Sequence, residues 1–164
     1  PLGALISAMA TGLINEQVAA ERAGSCGPGV SPGGKCGDMS DGKILEMYTA
    51  YLAACNNRAW ETIAGFVHSS VLVNGIQRTR EQYVDDIRKT IAVFPDYVWE
   101  LRHVVEQEPW LAVHLHDMGT RHQAFLGAPG DLSPVETDEF SMYRIANGRI
   151  AEVWGTADNA RLRL

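Results

Sequence analysis

The 164-residue chain has three scarcities. It has no apolar run near the roughly 20 residues that span a bilayer, only three cysteines, and fewer basic than acidic side chains, 14 against 20. Each scarcity excludes a class of function. A net charge of −6 leaves no basic excess to hold a phosphate backbone or an anionic lipid surface, so neither nucleic acid nor membrane is expected as a partner. Three cysteines cannot build a disulfide framework. Cys26 and Cys36 lie in a Gly/Pro-rich stretch, 24–37, and could close a short loop; Cys55 falls in a helical pattern and reads as a buried thiol. Free thiols suit a reducing compartment, so a cytoplasmic location is expected. No charged segment precedes Leu5, so no signal peptide is read, and one removed earlier would leave no trace. Gly127-Ala128-Pro129-Gly130 lacks the following helix and lysine of a phosphate loop. A serine-nucleophile elbow is missing too.

Apolar residues make up 46% of the chain and charged residues 21%, values of a globular domain with one core. Residues 1–22 carry an amphipathic pattern (Leu5, Ile6, Met9, Leu13, Val18) and lead into the glycine-rich loop, so 1–40 form an appendage. The main domain, 41–164, opens at a Ser40-Asp41 cap. A helical stripe follows (Ile44, Leu45, Tyr48, Tyr51, Leu52, Cys55), broken at Asn56-Asn57, then a short helix from Trp60 to Phe66. Val71–Val73 reads as a short strand ending in an Asn74-Gly75 turn. Thr79 to Val93 reads as a third helix with a Thr79/Gln82 capping box, stopped at Pro95. Strands are expected at 98–107, 111–125, 137–145 and 150–157, the last two joined at Asn147-Gly148. Helices followed by a run of strands indicate an α+β fold, a curved antiparallel sheet with helices packed on its concave face.

Strand side chains alternate between faces. In the long strand His114, His116, Thr120 and His122 share one face, and Leu111, Val113, Leu115 and Asp117 the other. Imidazole titrates near neutral pH without perturbation, so His114 and His116 are the first candidates for proton transfer, on the expectation that they look into a cavity. A metal site is not expected: His122 stands about 20 Å along the strand at about 3.3 Å per residue, too far to join the other two.

Five stretches resemble a known family. They are Asn74-Gly75, the helix opening at Thr79-Arg80, Glu108-Pro109-Trp110-Leu111-Ala112-Val113, Gly119-Thr120 leading to Phe125-Leu126-Gly127, and Tyr143-Arg144-Ile145 through Gly148-Arg149-Ile150-Ala151-Glu152-Val153-Trp154. Their order is similar to that of the SnoaL-like polyketide cyclases, within the cone-shaped fold shared with nuclear transport factor two, ketosteroid isomerase and scytalone dehydratase. The resemblance covers about residues 43–164, a span bounded by the helix and strand signals. It implies an apolar cavity, no metal or organic cofactor, a homodimer, and acid/base chemistry on a polyketide-like or terpenoid-like molecule. It also implies an acid/base aspartate where this chain has Gly155 and a histidine where it has Ser141.

With those two positions replaced, the expected machinery shifts to other walls. His116 or His114 removes a proton. Asp158, three residues past the missing aspartate, or Glu139, on the face of Ser141 and Tyr143, orients the imidazole or returns the proton. Tyr51 and Asn74 steady an oxyanion, and Ser141, Tyr143 and Trp60 line the substrate site. The expected function is a cofactor-independent isomerase, cyclase or dehydratase acting on a hydrophobic secondary metabolite. The alternative is a non-catalytic binding or scaffold domain of the same fold. Epoxide opening ranks low because Asp117 and Arg121 lie on the face away from the histidines.

Overall fold

Helix α1, Lys43–Asn56, forms where Ile44, Tyr48, Tyr51, Leu52 and Cys55 recur at helical spacing, and these positions are buried. A computed structural model describes residues 42–157. The appendage of residues 1–40, the Ser40-Asp41 cap, Cys26, Cys36 and Asp158 lie outside the described residues. After α1 the order is α2 (Trp60–Gly65), β1 (Val67–Val73), β2 (Ile76–Thr79), α3 (Arg80–Val93), β3 (Val98–Gln107), β4 (Trp110–Thr120), β5 (Pro134–Ala146) and β6 (Arg149–Ala157).

The sheet runs β2-β1-β6-β5-β4-β3, curved and unclosed, with helices on its concave face. It is not wholly antiparallel as expected: β1 pairs with β6 in parallel, because the chain leaves β1, builds the outer strands and returns beside it. The expected strand at 71–73 starts earlier, at Val67, and gains a partner that the sequence reading missed. That partner, β2, is four residues long with no alternating apolar face. Asn74 (φ 47°) and Gly75 (φ 79°) join β1 to β2 in a turn with both central residues left-handed.

The expected long strand 111–125 ends at Thr120. Beyond it Arg121 turns inward and is almost wholly buried. Its Nε donates to the Pro129 carbonyl (2.7 Å) and its Nη2 to Asp131 Oδ1 (3.0 Å), drawing 121–133 into a compact strap. Gly130 is required there, since a Cβ would come within 2.5 Å of the His122 carbonyl oxygen.

Helix α3 starts as expected. Thr79 Oγ1 accepts from the Gln82 backbone N–H at 3.2 Å, and the Gln82 side chain accepts from the Thr79 N–H at 2.9 Å. Replacing Thr79 by Ala is expected to destabilise the fold by about 1 kcal/mol, read as a lowered urea midpoint at constant slope.

The main core lies between α1, α3 and the inner sheet face, with Ile63, Val67, Val71, Leu111, Leu115, Ile150 and Val153 at its centre. Two asparagines lock its edges. Asn56 clasps the Trp99 backbone through both amide atoms, each at 2.9 Å, tying α1 to β3. Asn74 clasps the Gly155 backbone at 2.9 and 3.1 Å, tying the β1–β2 turn to β6. Among the described residues no helix is long and apolar enough to cross a membrane.

Candidate active site

On β4 the inward residues are Leu111, Val113, Leu115 and Asp117, all buried. On β5 they are Val135, Thr137, Glu139, Ser141, Tyr143 and Ile145. Asp117 pairs with Thr137 and Leu115 with Glu139, so the two carboxyl groups are diagonal neighbours on the inner face. Taking carboxylates out of water favours their protonated forms. Burial pushes Asp117 up to about 9, and the charge of Glu139 adds to the effect. Burial also raises Glu139, while the Ser141 hydroxyl, donating to its Oε1 at 2.7 Å, and the interaction with Asp117 hold it back. The pair therefore titrates as a unit, both carboxyls raised by burial.

All five tyrosines of the chain are buried in this interior: Tyr48, Tyr51, Tyr83, Tyr97 and Tyr143. The Tyr97 hydroxyl donates to Asp117 Oδ2 at 3.2 Å. The Tyr51 and Tyr83 hydroxyls share a 2.7 Å hydrogen bond. The Tyr143 ring packs on Tyr48 with centroids 4.9 Å apart. Each phenol is raised by desolvation, and the charge of Glu139 acts on Tyr48, Tyr83, Tyr97 and Tyr143. Burial pushes the nearby Cys55 thiol up to about 12, which keeps it neutral. Two polar atoms of this interior are buried without a hydrogen bond of standard geometry among the described residues, Asp117 Oδ1 and the Tyr48 hydroxyl. Each nevertheless has a polar neighbour, the Tyr48 hydroxyl beside that of Tyr143 and the Asp117 carboxyl beside that of Glu139.

The SnoaL-like polyketide cyclase profile matches residues 45–164. This chain belongs to the SnoaL-like polyketide cyclase family. A SnoaL-like polyketide cyclase from Agrobacterium tumefaciens is 27% identical with a TM-score of 0.69, covering 73% of this chain and 94% of its own. IdmH from Streptomyces antibioticus, a proposed polyketide cyclase, is 24% identical at TM-score 0.66, with 72% and 94% covered. AclR from Streptomyces galilaeus, a proposed hydroxylase, is 17% identical at TM-score 0.66, with 75% and 94% covered; like IdmH it shares the fold. No curated protein matches the chain.

Ser141 and Gly155, where the resemblance led to the expectation of a histidine and an aspartate, are register partners on β5 and β6. Glu139 stands two residues before Ser141 on the same inner face, so the carboxylate reaches that place from a neighbouring position. Tyr51, Ser141 and Tyr143 are buried in the interior.

Three placements differ from expectation. His114 and His116 do not look into the interior. Strand alternation decides this: Leu111, Val113, Leu115 and Asp117 take the inner face of β4, leaving the imidazoles on the outer one with Asp138 and exposed Phe140. Asn74 is turned to the β6 backbone, where its Oδ1 accepts from the Gly155 N–H and its Nδ2 donates to the Gly155 carbonyl. Trp60 packs at the core edge with the Arg88 guanidinium 5.1 Å from its ring centroid. Asp158 lies outside the described residues.

Sequence reasoning passed over Asp117, Tyr48 and Tyr97 as site residues. The signal for Asp117 was present: it is a carboxylate in phase with three apolar residues of one strand. Open grooves flank the sheet among the described residues. One, of about 440 Å³, is lined by Asp96, Gly119, Thr120, Val135 and Glu136 among others. Another, of about 400 Å³, is lined by Asp138, Phe140, Thr156 and Ala157.

Proposed function

We propose that this chain is an acid–base enzyme, an isomerase, cyclase or dehydratase, that acts without a cofactor on a hydrophobic polyketide-like or terpenoid-like molecule. The observation that carries this reading is the Asp117–Glu139 carboxyl pair, buried among five tyrosines on the inner face of the sheet. Groups whose surroundings push them away from their ordinary titration mark functional sites more often than chance. In this reading Glu139 is the base. It accepts from Ser141 and takes a proton from a carbon next to a carbonyl or from a hydroxyl. Asp117, kept neutral by its surroundings, donates a hydrogen bond to the oxygen on which charge develops, and the Tyr48 hydroxyl adds a second donor.

The experiment is conversion, or exchange of substrate hydrogen with heavy water, over a panel of aromatic polyketide and terpenoid ketones. Wild type is run beside Glu139→Gln and Asp117→Asn. Activity that survives both substitutions overturns the assignment. A second reading, a binding or scaffold domain, is favoured by Ser141 and Gly155 standing where the resemblance led to the expectation of a histidine and an aspartate. Saturable binding of a panel member with no conversion or exchange would select it.

A further inference from the structure

The outer sheet face carries an apolar row that the interior chemistry does not use. Val105, Ala112, Met142 and Trp154 are register partners in turn across β3, β4, β5 and β6. Phe140 stands on the same face, two residues before Met142 on β5. Val105 is 68% exposed, Phe140 56%, Met142 46% and Trp154 43%. A contiguous apolar patch rimmed by polar residues marks a surface that something covers. Charged groups at its margins are paired within the chain. Arg144 Nε donates to Glu152 Oε2 at 2.8 Å, and Asp138 Oδ1 lies 3.0 Å from His114 Nε2. The row therefore favours an uncharged occupant.

The chain enters the fold beside this row. Helix α1 begins at Lys43, and the Leu45 backbone N–H donates to Glu106 Oε2 at 3.3 Å, next to Val105 on β3. Strand β3 is the edge of the sheet among the described residues, so only the width of that strand separates the entry from the outer face. Residues 1–15 hold no charged side chain and carry Leu5, Ile6, Met9 and Leu13 at helical spacing. We propose that residues 1–22 lie across the outer face of their own chain, with Leu5, Ile6, Met9 and Leu13 against the row from Val105 to Trp154. The lengths agree. Three steps between strands at about 4.8 Å make the row about 14 Å wide. A helix over residues 4–18 would be about 22 Å long at about 1.5 Å per residue. Residues 23–41 reach up to about 60 Å at about 3.3 Å per residue, enough to round the β3 edge. A second copy would bring an apolar surface too, but a tethered segment acts at a roughly millimolar effective concentration and occupies the row first.

The test is photocrosslinking of the full chain carrying Met9→p-benzoylphenylalanine, mixed in equal amounts with the same chain labelled with heavy nitrogen. Links from position 9 to Phe140, Met142 or Trp154 within one chain are expected. Links that join labelled to unlabelled chains, or that avoid the outer face, would overturn the proposal. Hydroxyl-radical oxidation read by peptide mass gives a second measurement on the full chain. Met142 and Trp154 should be protected in wild type, and the double substitution Leu5→Asp with Leu13→Asp should raise their oxidation severalfold. Both substituted positions lie outside the described core, and a matching thermal melt certifies that the variant folds. Free oxidation in wild type would show the face bare. Protection that ignores the aspartates and disappears on dilution would assign it to a second copy, and either result sinks the inference.

Discussion

Glu139→Gln is expected to reduce turnover by roughly 10²–10⁴-fold, the range over which a positioned acid or base contributes. The substitution keeps the size of the side chain and an oxygen able to accept from Ser141 at 2.7 Å, so the interior need not repack. It removes the one group in the pair that this reading assigns to proton removal. Asp117→Asn should lose less, because an amide can still donate a hydrogen bond to a developing oxyanion. His114→Ala and His116→Ala change the outer face and should stay within a few-fold of wild type. The measurement is the rate of conversion or solvent-hydrogen exchange for whichever panel member the wild type turns over. A wild-type rate in Glu139→Gln together with a collapse in His116→Ala would move the chemistry to the other side of the sheet.

Asp117→Asn should also change how stability depends on pH. In the folded chain Asp117 holds its proton to about 9, against an ordinary 3.8. Between those values the native state binds a proton that the unfolded chain has released. The stability contributed by this group is therefore complete below about pH 4 and is lost progressively as pH rises toward 9. From pH 6 to pH 9 the loss is at most about 4 kcal/mol, one proton over three pH units at about 1.4 kcal/mol each. Glu139 is raised as well and adds in the same direction. The carboxyls held low, Asp96, Asp131 and Glu152 among them, act in the opposite sense but only in acid. From pH 6 to pH 9 the urea midpoint should thus fall for wild type and fall much less for Asp117→Asn, with the variant the more stable at pH 9. Parallel profiles for the two proteins would show that Asp117 is ionised in the folded state.

The helices were legible because their signals are local. Thr79 and Gln82 form the cap that their spacing announces, and the stripe from Ile44 to Cys55 becomes the buried side of α1. The Asn-Gly turns were legible for the same reason: few other residue pairs accept two successive left-handed positions. Strand β2 was not, because four residues with no apolar alternation are held only by pairing with β1. The end of β4 was missed because the inward turn of Arg121 depends on carbonyl and carboxylate partners eight and ten residues further on.

By itself the sequence determined the α+β class, the family and the two-residue rhythm that sorts β4 into an imidazole face and a Leu-Val-Leu-Asp face. It did not weigh those faces against each other, since three histidines suggested chemistry and one aspartate among apolar neighbours did not. Only the tertiary structure decided the matter. The helices can bury one face of the sheet, burial selects the apolar one, and Asp117 is carried inside with it to meet Glu139 from the next strand, while the histidines are left in reach of water.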